Sequence, residues 1–157
     1  MEIMITSIGN YSLEQTVLEA KGLKEFSEDE DNMFAMAGAS RMLKNERIFH
    51  EDDVIFNGVN WKTVLGVTQE RIYKISLQIL NDESGEINSI FRSTLKYLID
   101  QMGKYNEHPF LSKKYYWDKK EGSVIYEFKT MGGNSCINLF LTSSSIAEQM
   151  KEFLASK

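Results

Sequence analysis

The sequence is poor in the residue types from which chemistry is most easily read: one cysteine (Cys136), one proline (Pro109) and two histidines (His50 and His108) among 157 residues. A lone cysteine excludes an internal disulfide and a thiolate metal cluster, and it fits a reducing compartment better than a secretory one. A single proline leaves little room for linkers or low-complexity arms, so residues 1–157 are expected to form one domain. The least charged stretch, residues 130–147, is interrupted by glycine, asparagine and serine, which argues against a membrane-spanning helix. The opening MEIMITSIGNYS carries Glu2 where a secretory signal carries positive charge, and no apolar run follows it. A cytoplasmic protein with no membrane association is the expectation.

Catalytic motifs are missing as well. The sequence has no HExxH and no glycine loop ending in GK[ST], and Asn81-Asp82-Glu83-Ser84-Gly85 lacks both the spacing and the closing glutamate of a calcium loop. His50-Glu51-Asp52-Asp53 sets a histidine among carboxylates, but further ligands at metal-binding spacing are lacking, and a solvated turn explains it better. Glu28-Asp29-Glu30-Asp31 falls in the first turn of an expected helix, where carboxylates complement the exposed N–H groups. Successive helical residues point about 100° apart, so the four do not converge on one ion. Cys136, His50 and Asp52 have the residue types of a nucleophilic triad, yet Cys136 lies in an apolar strand where cysteine behaves as a small hydrophobe. No catalytic residue, metal ligand or cofactor is assigned.

What is present describes an ordinary globular chain. Hydrophobic residues make up 42% and charged residues 26%, enough apolar matter for a core at this length. The net charge of −5 is unevenly placed: residues 1–60 hold 12 acidic and 5 basic residues (−7), and residues 61–157 hold 11 and 13 (+2). An acidic half disfavours general nucleic-acid binding, whose affinity rests on phosphate contacts.

Periodicity predicts the elements. Capping-box spacing at Ser12/Gln15, Ser27/Glu30 and Ser145/Glu148 marks three helix starts. A fourth helix is predicted over 86–103, where Ile87, Ile90, Phe91, Leu95, Leu98, Met102 and Tyr105 step by three or four and Gly103 fits the C-terminal stop. Asn57-Gly58 between two β-rich runs predicts a hairpin, residues 71–80 alternate as a half-buried strand, and 124–130 with 135–142 form a second hairpin around Gly132-Gly133. Lys114 to Asp118 adds a short edge strand. The expected class is α+β: an antiparallel sheet of about five to six strands built from hairpins, helices packed on one face, in the order α-α-β-β-β-α-β-β-β-α.

The most unusual local composition is Lys113-Lys114-Tyr115-Tyr116-Trp117-Asp118-Lys119-Lys120. Aromatics interleaved with lysines suit contact with an anionic or peptide partner, and the same pattern blunts an exposed sheet edge. Lys113, Lys114, Tyr115, Tyr116, Trp117, Lys119 and Lys120 are therefore the candidate partner-binding residues. The expected function is a non-enzymatic module that binds another protein, chaperone-like or adaptor-like, as a small acidic homodimer. A small enzyme or ligand-binding domain with a pocket between sheet and helices is an alternative, and an immunity-type protein that neutralises a phage or toxin is another. The element order (helix, three strands, helix, two or three strands, helix) resembles the dimeric chaperones of bacterial type III secretion effectors. That resemblance rests on order alone and implies binding of extended segments without catalysis.

Overall fold

The computed structural model describes residues 4–16, 24–25, 47–80, 86–108, 113–131 and 134–146. Their elements are β1 (Ser7–Ile8), β2 (Tyr11–Ser12), β3 (Lys24–Glu25), β4 (Arg47–Phe56), β5 (Val59–Thr68), β6 (Arg71–Leu80), α1 (Ile87–Met102), β7 (Lys114–Lys119), β8 (Gly122–Met131) and β9 (Asn134–Ser143), with a 3-10 turn at Ser144–Ile146. β1 and β2 form a small ribbon; the others form one open, seven-stranded sheet in the order β3-β4-β5-β6-β9-β8-β7. Every pairing is antiparallel.

Two meanders, β4-β5-β6 and β7-β8-β9, are joined where β6 pairs with β9. The β4–β5 hairpin closes through Asn57 (φ 52°) and Gly58 (φ 75°), both in the left-handed region, as a type I′ turn needs. The β5–β6 hairpin makes the same kind of turn without glycine, through Gln69 (φ 53°) and Glu70 (φ 62°). The turn lacks the residues that would announce it, so no turn signal in the sequence marks where β5 gives way to β6.

Register puts large apolar side chains in rows across one face. Phe49, Leu65, Ile75, Leu141, Val124 and Trp117 are successive partners from β4 to β7. So are Leu77, Leu139, Tyr126 and Tyr115. α1 lies on this face with Ile87, Phe91, Leu98 and Met102 buried, and Met4, Ile8 and Tyr11 of the N-terminal segment join the same core. Phe91 stacks on Tyr126 at 4.8 Å between ring centroids, while the Tyr126 hydroxyl donates to the Phe91 carbonyl at 2.9 Å. The Trp117 indole N–H donates to the Gly103 carbonyl at 2.9 Å, tying the end of α1 to the sheet edge.

The expected helices need correction. Among the described residues there is one helix, and the order runs β-β-β-β-β-β-α-β-β-β rather than α-α-β-β-β-α-β-β-β-α. Ser12 ends a strand instead of starting a helix. The Gln15 side chain does reach back to the Ser12 N–H at 2.9 Å, as in a capping box. However, Glu14 turns to φ 72°, its N–H bonds the Ile72 carbonyl, and the Gln15 carbonyl accepts from the Ile72 N–H. Pairing with β6 has won over local helix signals. The helix expected from Ser27 lies outside the described residues; of that expected from Ser145, the described part is a 3-10 turn. The sheet has seven strands rather than five or six. Of the element order expected by resemblance, the described residues carry the middle: three strands, a helix and three more strands.

β6 also departs from its half-buried reading. Ile72 through Leu77 are buried on both faces, including Lys74 and Ser76, each 4% exposed. No helix among the described residues is long and apolar enough to cross a membrane.

Gly122, the first residue of β8 after the β7–β8 turn, has a close backbone approach. A Cβ on Gly122 (φ 152°) would sit 1.9 Å from the Thr142 carbonyl oxygen, whereas one on Gly58 would meet nothing within 4 Å. Gly122→Ala should therefore destabilise by about 3 kcal/mol, combining clash and backbone strain. Gly58→Ala should lose only about 1 kcal/mol for its positive φ. Urea midpoints of the two variants measure the difference.

Candidate interaction site

The lysine–aromatic segment is divided by strand alternation. Tyr115 and Trp117 face the core under α1, while Lys114, Tyr116 and Asp118 fall on the opposite face. Trp117 is fully buried, so it holds the edge strand to the domain and presents no contact surface. Lys113 and Lys120 are exposed at the two ends of β7, and Lys114, Tyr115, Tyr116 and Lys119 are half-buried. The segment thus offers two small surfaces rather than one stripe.

On the core side, Tyr115 sits in an aromatic cluster. The His108 ring stacks on it at 4.2 Å with 3° between planes, Tyr105 meets it edge-on at 4.8 Å, and the Lys113 ammonium lies 4.6 Å from the Phe128 ring centroid. Burial raises the Tyr115 hydroxyl above the ordinary tyrosine range, with the neighbouring Tyr105 adding to it.

On the other face, Lys114 begins a polar row. Lys62, Gln78, Asn138, Glu127 and Lys114 are successive cross-strand partners on five strands. Gln78 donates to Asn138 at 2.9 Å and Asn138 donates to Glu127 at 3.2 Å. The Glu127 side chain, 5% exposed, has Lys129 at 3.4 Å and Lys114 at 3.7 Å. A carboxylate withdrawn this far from water needs such partners. A hydrogen bond with the Tyr116 side chain holds the Lys114 ammonium above the usual lysine range; burial opposes it, and attraction to Glu127 adds to it. Part of the positive charge of Lys114 is therefore committed internally.

β7 is an edge strand whose outer side is occupied. The Asn106 N–H donates to the Tyr116 carbonyl at 2.8 Å, and the Tyr116 N–H donates to the Glu107 carbonyl at 2.9 Å. The Asp118 N–H donates to the Asn106 side chain at 2.6 Å, and His108 Nδ1 lies 3.0 Å from the Lys114 carbonyl. Residues 106–108 thus cover the groups through which a foreign strand would pair.

Other candidate groups are kept apart. His50 on β4 and Cys136 on β9 have β5 and β6 between them, three strand spacings of about 4.8 Å each. The triad types do not meet. Burial raises the Cys136 thiol above its ordinary value and Glu127 adds to this, while a hydrogen bond from Asn138 opposes it. The result is a thiol poorly disposed to ionise. Among the described residues no group of three His, Cys, Asp or Glu could hold a metal ion.

Sequence reasoning did not single out His108, Asn106, Glu127 or Asn138. A glutamate inside Val-Ile-Tyr-Glu-Phe was the one available signal, since a charge there needs a cross-strand partner. The chain matches no known protein-family model, curated protein or solved structure.

Two outcomes follow. Asn106→Ala should speed amide exchange at Asp118 by about tenfold while changing global stability by no more than about 1 kcal/mol, because it opens one edge bond; site-resolved hydrogen exchange measures both. Cys136 should be alkylated by iodoacetamide more slowly than a free cysteine at pH 8.5, with the rate still climbing at higher pH, because less of it is thiolate.

Proposed function

We propose that this chain is a protein-binding module that recognises an acidic stretch of another protein through side chains around β7. The observation that carries the reading is the combination at that edge. Backbone pairing is already satisfied by residues 106–108, yet Lys113 and Lys120 remain exposed and flank half-buried Tyr115, Tyr116 and Lys119. Recognition by strand addition is disfavoured there, and recognition by charge and ring surface is favoured. The internal use of Trp117 and Lys114 narrows the contact to Lys113, Tyr115, Tyr116, Lys119 and Lys120. A homodimer would use the same surface against an acidic patch of a second copy. A cytoplasmic setting suits a lone cysteine held as a thiol.

Affinity capture from the native host with the full chain as bait, followed by mass spectrometry, tests the reading. A stoichiometric partner should be recovered at low salt and lost when Lys113→Glu and Lys120→Glu are combined, while the thermal melt of the double variant stays within a few degrees of the parent. Equal recovery by parent and double variant would sink the β7 assignment.

A further inference from the structure

The opposite end of the sheet carries a different surface. Among the described residues β4 pairs with β3 at Phe49 and His50, and immediately beyond that point its register with β5 shifts between Glu51 and Val54. At this irregularity the β1–β2 ribbon approaches the strand. Gly9, Asn10, Tyr11, Glu51, Val54 and Ile55 enclose an open notch of about 230 Å³. Gly9 permits the approach: its φ is 58°, and a Cβ there would lie 3.2 Å from the Val54 side chain. Ile55, at the rim, is 60% exposed and is the one large hydrophobic side chain exposed to this extent among the described residues.

The floor of the notch is polar and negatively charged. Tyr11 is 1% exposed, and its hydroxyl donates to the Glu51 Oε2. Glu51 itself is half-buried, and among the described residues no lysine or arginine forms an ion pair with it. A carboxylate accepts several hydrogen bonds, so the tyrosine leaves Oε1 with capacity. In the sequence Glu51 is followed by Asp52 and Asp53, and residues 48–60 hold no lysine or arginine.

We propose that the notch beside β4 docks an extended segment of another protein, seating a lysine or arginine side chain on Glu51 and an adjacent apolar side chain on Ile55. Charge complementarity selects a basic occupant, the tyrosine hydrogen bond holds the carboxylate in place, and the exposed isoleucine supplies the apolar contact. The site is distinct from the β7 surface and opposite to it in charge preference.

The probe is the capped tripeptide acetyl-Val-Arg-Val-amide, titrated into the 15N-labelled full chain, with acetyl-Val-Glu-Val-amide as its counterpart. The arginine peptide should give saturable amide shifts at Gly9, Asn10, Glu51, Val54 and Ile55, and the glutamate peptide should not. Glu51→Gln, which keeps size and an acceptor for Tyr11, should weaken binding about tenfold, as for loss of one charge-assisted bond. Ile55→Ser, at an exposed position where folding is not at stake, should weaken it about threefold. The combined Lys113→Glu and Lys120→Glu variant should bind the arginine peptide at least as well as the parent, which separates this site from the β7 surface. Absence of saturable shifts with the arginine peptide, an equal response to both peptides, or unchanged affinity in both Glu51→Gln and Ile55→Ser would overturn the proposal.

Discussion

The pairing of β6 with β9 is the joint on which this structure depends. Seven residue pairs, from Lys74↔Thr142 to Leu80↔Cys136, connect strands far apart in the chain and turn two separate meanders into one sheet. Because side chains alternate, one register sets both faces at once. Ile75 opposite Leu141 and Leu77 opposite Leu139 extend the apolar rows beneath α1. Gln78 opposite Asn138 completes the polar row that ends in Glu127 and Lys114. A slip by one residue would send both sets to the wrong side. β6, the fourth of the seven strands in this sheet, is buried on both faces from Ile72 to Leu77.

The rims are managed in different ways. At β7 the chain covers its own edge with residues 106–108, fastened by main-chain bonds at Tyr116, the Asn106 amide and the His108 contact with Lys114. At β4 the described pairing is two residues long and gives way to a register shift, a notch and an exposed isoleucine. The first rim is basic and closed to strand addition; the second is acidic and recessed. Lysine-rich edges and irregular edges are both recognised defences against unwanted sheet extension. The same features give each rim a chemistry of its own, which is why both enter the functional proposals.

The sequence by itself determined the pieces with strong local physics. The apolar stripe of α1 and its Gly103 end were readable because a helix repeats every 3.6 residues, whatever surrounds it. The Asn57-Gly58 turn was readable because few residues tolerate two positive φ angles, and Arg71–Leu80 because ten residues without a breaker, six of them apolar, make a strand. Lys113 to Lys120 was readable as a sheet edge. Only the tertiary structure decided the rest. Ser12 carried a helix signal worth a bond or two, and pairing with Ile72 outweighed it. Trp117 and Tyr116 are sequence neighbours with equal claims to a surface, yet alternation buries one and leaves the other half-exposed. The meetings of Glu127 with Asn138 and of Tyr11 with Glu51 join residues 11 and 40 positions apart. Contacts of that kind depend on strand order and register, which are settled by the whole sheet and leave no mark on any short stretch of the chain.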